Sequence, residues 1–129
     1  MTRQQVSAGA VWGPRVGYSR AVRAGNMIFV AGTAAADPHG NAIAPGDAYA
    51  QTKDVLGRIE RAIRELGGTM RDVVQTRIFV TDIGRWEEVG RAHGEVFGQI
   101  RPVTSMVEVR ALIAPGMLVE VEAVALLEP

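Results

Sequence analysis

Apolar residues gather in short runs in the first third of the chain, and turn-forming residues separate these runs. The run Met27–Val30 follows the pair Gly25-Asn26, and the segment Ser19–Ala24 comes just before that pair. Two short extended segments joined by a Gly-Asn pair are typical of a β-hairpin. The turn-forming residues of Asp37–Asn41 are then expected to end the second strand.

A helical period begins after Asp47. Asp47 is a suitable N-cap residue, and Gly67-Gly68 is a suitable C-cap. Between them, apolar residues recur every three or four positions, as the buried stripe of an amphipathic helix requires: Val55, Ile59, Ala62, Ile63 and Leu66. The segment therefore predicts one long amphipathic helix.

The rest of the chain predicts three strands and a second helix. Val73–Thr81 is a strand, Arg85–Phe97 is the helix, and two strands follow over Thr104–Val109 and Leu118–Leu127. Trp86 falls on the apolar stripe of this helix and is expected to pack between helix and sheet. The order β-β-α-β-α-β-β predicts an α+β fold in which two helices cover one face of a mixed sheet.

The last predicted strand has two unlike faces. One face is wholly apolar, whereas the other carries Leu118, Glu120, Glu122, Val124 and Leu126. That second face is too apolar for a solvated surface and too charged for a core. Such faces are typical of a subunit interface or a pocket wall. We therefore expect a homo-oligomer with sites between its subunits.

Composition narrows the class of protein. The 129 residues are 47% hydrophobic, which suits a single domain over residues 1–129. Lys+Arg and Asp+Glu both total 14, so no surplus charge attracts nucleic acid or an anionic membrane. The sequence has no cysteine and only two histidines, which excludes disulfides and disfavours a metal site. These features fit a cytoplasmic protein with no signal peptide or membrane span.

Glu120 and Glu122 are the main candidates for chemistry. Residues two apart on a strand face the same side, so two carboxylates meet on a partly apolar face. Their mutual repulsion is expected to raise at least one pKa, which suits general acid–base catalysis. The alternative is that both are structural, either ion-paired to arginines of a neighbouring subunit or exposed at a strand edge.

Three further residues allow two interpretations each. His93 lies on an apolar helix stripe, where a hydrogen-bonded core histidine is more common than a catalyst. Gly32 could let a ligand approach the backbone, or could only mark a bulge. Arg101 precedes the fifth strand and could be a solvated loop charge. No P-loop, dinucleotide fingerprint or nucleophile elbow is present, so no nucleotide cofactor or serine triad is indicated.

Three segments carry a family resemblance. They are GYSRAVRAGNMIFVAGT, RIFVTDIGRWEEV and the C-terminal RPVTSMVEV…PGMLVEVEAVA, of which the last is the most specific. With them the chain resembles the Rid (YjgF-type) family of enamine/imine deaminases from about Gly17 onward. The resemblance implies a chorismate-mutase-like fold and a homotrimer whose sheets line a central barrel. It also implies cofactor-free hydrolysis of a small-molecule substrate in clefts between subunits.

Carried over by position, the resemblance assigns roles to individual residues. Tyr18 matches the pocket tyrosine, Gly32 matches the backbone donor, and Glu120 matches the glutamate that positions the attacking water. Deaminating members have Pro-x-Arg-Ser, with an arginine that binds the substrate carboxylate. Here the same stretch reads Pro102-Val103-Thr104-Ser105, so the chain resembles a branch that lacks this arginine.

Threonine at position 104 leaves the substrate class open. Losing a charge-assisted arginine contact weakens binding of an anion about 10- to 100-fold. Either the ligand has no carboxylate, or another cation such as Arg101 or Arg110 replaces the contact, or the chemistry is lost. The predicted function is a cofactor-independent hydrolase in which Glu120 activates water and Tyr18, Gly32, His93, Thr104 and Arg101 bind substrate. The alternatives are a non-catalytic ligand-binding or regulatory trimer and, more weakly, a ribonuclease, which the neutral charge balance disfavours.

Overall fold

The computed structural model describes residues 2–9 and 11–128. Short 3₁₀ turns over Met70–Asp72 and Ile83–Arg85 precede the fourth strand and the third helix. The elements in chain order are β1 (Arg3–Ser7), α1 (Trp12–Val16), β2 (Ser19–Ala24), β3 (Met27–Ala34), α2 (Ala48–Glu65), β4 (Val73–Val80), α3 (Trp86–Phe97), β5 (Val103–Glu108) and β6 (Val119–Leu126).

The strands form a mixed sheet in the order β1-β2-β3-β6-β4-β5. All neighbours are antiparallel except β4 and β5, which are parallel. The core lies between one sheet face and the two long helices α2 and α3, where alternate β6 residues are buried: Val119, Val121, Ala123 and Ala125. The predicted α+β fold is therefore confirmed. No helix of the described residues is long and apolar enough to cross a bilayer.

The ends of α2 follow from the residues that flank it. The Asp47 carboxylate accepts a hydrogen bond from the backbone N–H of Ala50 at 2.9 Å, which confirms the predicted N-cap. At the other end Gly67 has φ 91°, the left-handed conformation that glycine adopts without steric cost. The backbone N–H of Gly68 then bonds to the Ile63 carbonyl at 3.0 Å, which closes the helix.

The first strand and first helix were not predicted. The structure places β1 against β2 at the sheet edge, with Arg3 opposite Ala24. The sequence of β1, RQQVS, is polar and almost wholly exposed, so it lacks the alternation by which a half-buried strand is recognised. The predicted β-β-α-β-α-β-β order holds from β2 onward, and β1 and α1 precede it.

The prediction for Trp86 is wrong. Its side chain is 55% exposed, because it occupies the first position of α3, directly after the 3₁₀ turn Ile83–Arg85. Val89, Ala92 and Phe97 are the buried residues of this helix. The apolar stripe therefore begins one turn later than the sequence suggests.

A β-bulge interrupts β3 beside the centre of the sheet. Val30 pairs with Ala123 of β6 and Thr33 pairs with Val121, so the two residues Ala31 and Gly32 stand opposite one residue of β6. Such an insertion bends the strand and re-aims its side chains. The bulge lies one pair away from Glu120, whose side chain points to the sheet face opposite α2 and α3.

Candidate functional site

Glu120 lies on the open face of the sheet. It pairs with Ala34 of β3 and Phe79 of β4 and is half-buried. Burial raises the pKa of the Glu120 carboxyl above its ordinary value of 4.5, and the nearby Glu122 raises it further, whereas Arg20 opposes the shift. The prediction that one of the two carboxyls has a raised pKa is confirmed.

Glu122 has a partner in its own chain. The Arg77 guanidinium donates from Nε to Glu122 Oε1 at 2.7 Å, and Arg77 Nη2 lies 2.7 Å from the same oxygen. This ion pair links β4 to β6 across the open face. Glu122 is therefore ion-paired, but its arginine belongs to the same chain, whereas the structural alternative predicted one from a neighbouring subunit.

The missing side chain of Gly32 leaves the space that the Glu120 carboxyl occupies. A Cβ at position 32 would lie 2.6 Å from Glu120 Oε2 and 2.8 Å from its Cδ, which is closer than any side chain tolerates. The carboxyl therefore lies directly against the backbone of the bulge. Both earlier interpretations of Gly32 apply, because the residue marks a bulge and also allows a polar group to approach the backbone.

Tyr18 and Arg20 complete this part of the site. Arg20 Nη1 donates to the Gly32 carbonyl at 2.9 Å and to Thr33 Oγ1 at 2.7 Å. Arg20 Nη2 donates to the Tyr18 hydroxyl at 3.3 Å, and the guanidinium carbon lies 5.5 Å from the centre of the tyrosine ring. Arg20 was not among the predicted site residues. Tyr18 directly precedes β2 and Arg20 is its second residue, but a lone arginine on a strand gives no sequence signal of such contacts.

These residues line a cavity of about 1160 Å³. Its walls come from the N-terminal segment, the hairpin β2–β3, the loop that follows, one side of α2 and two residues of β6. The lining residues include Val6, Trp12, Tyr18, Arg20, Gly32, Thr33, Asp37, Ile43, Arg58, Arg61, Ala62, Ile113, Glu120 and Glu122. A mostly apolar cavity with a few convergent polar groups is the usual form of a small-molecule site.

His93 and Thr104 belong to a second cluster. His93 Nε2 lies 2.9 Å from Thr76 Oγ1, which lies 2.8 Å from Thr104 Oγ1. The imidazole also contacts the Phe97 ring at 4.6 Å between centroids, and burial lowers the pKa of His93 below 6.5. His93 is thus a hydrogen-bonded, partly buried residue. Thr76 was not predicted, although a polar residue in a buried strand signals such a bond.

The sheet separates the two clusters within one protomer. Thr104 pairs with Thr76, and Thr76 pairs with Ala123 on the core-facing side. Glu120 is an odd number of residues from Ala123 on β6, so its side chain points to the opposite face. Neither His93 nor Thr104 lines the cavity that contains Glu120.

Arg101 lies away from the cavity. Its backbone has φ 56°, in the left-handed region, and its Nε donates to the Gly98 carbonyl at 3.0 Å. The residue is exposed and caps the end of the segment that follows α3. Within one protomer the structure does not bring Arg101 to Glu120.

The geometry favours proton transfer to a small polar ligand. A carboxyl with a raised pKa, a phenol and a guanidinium converge on one cavity, which is a typical set of groups for acid–base chemistry. Among residues 2–9 and 11–128, no three acidic or histidine side chains are close enough to hold one metal ion.

The fold and the site together define a small α+β protein with a carboxyl-containing cleft on the open face of its mixed sheet. Residues 10–127 match the sequence model of the family described as endoribonuclease L-PSP. The chain therefore belongs to this family, which is the YjgF family and includes the Rid and RutC proteins.

Individual relatives cover nearly the whole chain. A crystal structure of Rv2704 from Mycobacterium tuberculosis, a YjgF/YER057c/UK114 family member, is 55% identical, with a TM-score of 0.89 over 98% of this chain and 100% of that one. An uncharacterised Streptomyces coelicolor protein is 38% identical over 95% of this chain and 90% of its own length. The 3-aminoacrylate deaminase RutC of Acinetobacter baylyi is 32% identical over 87% of this chain and 88% of its own length.

Proposed function

We propose that this protein is a cofactor-independent hydrolase that deaminates a small enamine or imine. The observation that carries the proposal is the Glu120 carboxyl, held against Gly32 in a large cavity with its pKa raised by burial. The relationship to the 3-aminoacrylate deaminase RutC supports the same reaction class.

The reaction needs one group that first accepts and then returns a proton. Protonation of an enamine at carbon by solvent gives the iminium ion. Water then adds to the C=N carbon as Glu120 takes one of its protons, and the product is a neutral carbinolamine. Glu120 returns the proton to nitrogen, the C–N bond breaks to release ammonia, and the hydroxyl oxygen gives its proton to water as the carbonyl product forms. A carboxyl with a raised pKa can accept a proton from water and return it to nitrogen more readily than a carboxyl with an ordinary pKa.

The assembly in this proposal is a homotrimer with clefts between subunits. Its support is the open sheet face, where Phe29 is 45% exposed and Leu126 is 44% exposed. A second support is the separation of Thr104 from Glu120 by the sheet. A cleft that uses both residues therefore has to take them from two copies of the chain.

Ammonia release tests the proposal. The wild type is offered 2-aminoacrylate and uncharged imines, beside Glu120→Gln, which keeps the shape of the side chain but cannot accept a proton. We expect Glu120→Gln to lower kcat by about 100-fold or more. The wild-type rate should rise with pH through the raised pKa of Glu120, because the attacking step needs the carboxylate.

Glu122→Gln is the matched control. It removes a neighbouring negative charge that raises the Glu120 pKa, so the acid limb of the pH profile should move to lower pH while the plateau rate is kept. Equal rates for Glu120→Gln and the wild type would contradict the proposal.

Other outcomes point to the alternatives. A wild type that releases no ammonia, yet is stabilised against heat by a small ligand, would be a non-catalytic ligand-binding trimer. The family description as an endoribonuclease is the reason to test RNA as well. With 14 basic and 14 acidic residues, we expect no RNA binding at low salt.

A further inference from the structure

Arg20 has hydrogen-bonding capacity that the protein does not use. Of its five N–H groups, the two on Nη1 bond to Gly32 and Thr33, and one on Nη2 bonds to Tyr18. The Nε–H and the second Nη2–H have no protein acceptor among residues 2–9 and 11–128. Nε and Nη2 lie along one edge of the guanidinium and make a single protein hydrogen bond between them, to Tyr18, and Arg20 lines the cavity of Glu120.

The same edge binds carboxylates elsewhere in this chain. Arg85 donates from Nε to Glu88 Oε2 at 3.0 Å and from Nη2 to Oε1 at 3.1 Å, which is a bidentate ion pair. Arg77 likewise turns its Nε and Nη2 toward Glu122. In Arg20 the opposite edge is bonded to the β3 bulge. The edge formed by Nε and Nη2 is thus held in place, which lowers the entropy cost of binding a carboxylate there.

Arg20 and Glu120 are close but do not form an ion pair. Arg20 lies near enough to lower the pKa of Glu120, yet the ion pairs within 4.0 Å in the described residues do not include these two. Arg20 adjoins the core-facing Ala21 on β2 and therefore points to the same open face as Glu120. A small ligand between the two side chains would meet a cation at one end and a proton acceptor at the other.

The other cations of the cavity are less suited to this role. Arg58 is paired with Asp54, and Arg64 is paired with Glu60, both on α2. Arg61 is exposed and also belongs to α2, which covers the other face of the sheet. Of the arginines that line the cavity in the described residues, Arg20 is thus the one on the sheet face of Glu120, whereas Arg77 on the same face is paired with Glu122 and does not line the cavity.

We propose that Arg20 binds the carboxylate of the substrate, so that the substrate class is an enamine or imine acid. This inference rests on the proposed function. It places the anion contact on β2. Within one protomer, neither Thr104 on β5 nor the loop residue Arg101 lines the cavity of Glu120. A guanidinium fork held by the bulge would orient the C=N carbon toward Glu120.

Binding of a non-reacting pair of ligands tests the inference without turnover. Methacrylate has the shape of 2-aminoacrylate with a methyl group in place of the amine, and methacrylamide is its uncharged counterpart. Isothermal titration measures both ligands with the wild type, Arg20→Gln, Arg20→Lys and Arg71→Gln. Arg71→Gln is the matched control, because it removes the same charge at an exposed position that does not line the cavity.

We expect the wild type to bind methacrylate more tightly than methacrylamide. Arg20→Gln should weaken methacrylate binding by about 10- to 100-fold and leave methacrylamide unchanged. Arg20→Lys should lie between, because lysine keeps the charge but not the fork. Arg71→Gln should bind both ligands like the wild type.

Folding of each variant is checked by its Tm. Thr33 donates to the Ala31 carbonyl at 2.7 Å, so its hydroxyl keeps a partner when Arg20 is replaced. Equal methacrylate binding by Arg20→Gln and the wild type would overturn the inference. So would a greater loss in Arg71→Gln, equal affinity of the wild type for acid and amide, or no wild-type binding of methacrylate. Ammonia release is read separately, so failure of catalysis alone does not mimic these results.

Discussion

The carboxyl of Glu120 and the missing side chain of Gly32 form one structural unit. The carboxyl occupies the space that a Cβ at position 32 would need. Gly32 is not among the residues with positive φ, so glycine is required here for space and not for backbone conformation. A change at position 32 should therefore act on the carboxyl and not on the fold.

Gly32→Ala tests this relationship. The new methyl group should displace the flexible end of Glu120 while the backbone stays in place. We expect kcat/KM for the deamination to fall about 10- to 100-fold, with a Tm close to that of the wild type. Steady-state kinetics and thermal unfolding measure the two effects.

Gly94→Ala in α3 is the matched control, because nothing lies within 4 Å of the added Cβ. It should keep full activity and should raise stability by about 0.5–1 kcal/mol, as expected for this change within a helix. Full activity in Gly32→Ala would mean that Glu120 does not act from its observed position.

Part of the site was predictable from single residues. The family resemblance named Tyr18, Gly32 and Glu120, and the structure brings all three to one cavity. Arg20 could not be predicted, because a lone arginine on a strand has the same sequence pattern whether it is solvated or held by a bulge. Its role depends on hydrogen bonds to Gly32 and Thr33, which exist only after β3 is bulged.

The contact between α3 and strands β4 and β5 depends on a chain of hydroxyl groups. Thr104 Oγ1 donates to the Pro102 carbonyl at 3.2 Å, so Thr76 donates to Thr104 and the His93 Nε2–H donates to Thr76. This order satisfies the two hydroxyl groups and the Nε2–H of a neutral imidazole. Protonation would place a positive charge in a partly buried position, which is why the pKa of His93 is lowered.

His93→Gln should change how stability depends on pH. Because the folded-state pKa of His93 is depressed, its contribution is present above the unfolded value of about 6.5 and declines as the pH falls through the folded pKa. Glutamine can donate to Thr76 but does not titrate in this range. Urea unfolding at pH 7.5, 6.5 and 5.5 should show the wild type losing stability relative to the variant on acidification.

Comparing the wild type with His93→Gln isolates the contribution of His93 to the pH dependence of stability. Glu120 titrates with the opposite sign, since its raised pKa makes protonation favour the folded state, and it is present in both proteins. A constant difference in unfolding free energy across the three pH values would contradict the assignment of His93 as a buried neutral residue.

Secondary structure was predictable where packing and turn chemistry agree. The β2–β3 hairpin, the Asp47 cap and the stripe of α2 combine both signals, and all three are confirmed. β1 is a polar edge strand whose pairing is decided by its neighbour β2 and not by its own side chains. Trp86 was misplaced because helical spacing does not reveal where the buried part of a helix begins.

The sheet face opposite α2 and α3 is the surface through which the proposed trimer would assemble. It carries the half-buried Val124 and the exposed side chains of Phe29 and Leu126 around the charged pair Arg77–Glu122. Covering this face by other copies of the chain would remove apolar surface from water. A formal net charge of zero offers little repulsion against such association.

Phe29→Glu should break the proposed trimer. An unpaired carboxylate at the centre of an apolar interface costs several kcal/mol per copy, about enough to abolish assembly at micromolar concentration. Light scattering on a sizing column should give the mass of a trimer for the wild type and of a single chain for the variant.

Lys53→Glu, on the solvent side of α2, is the charge control and should keep the wild-type mass. A wild type that elutes with the mass of one chain at micromolar concentration would contradict the proposed trimer.

The separation of Glu120 and Thr104 by the sheet has a consequence for mixed assemblies. A cleft that needs both residues draws them from different polypeptides, so each chain would contribute half of two sites. Two inactive variants, one altered at position 120 and one at position 104, would then complement each other in trans. Co-expression of the pair would restore intact clefts that neither variant forms alone. In mixed assemblies with the wild type, one defective allele would be only partly dominant.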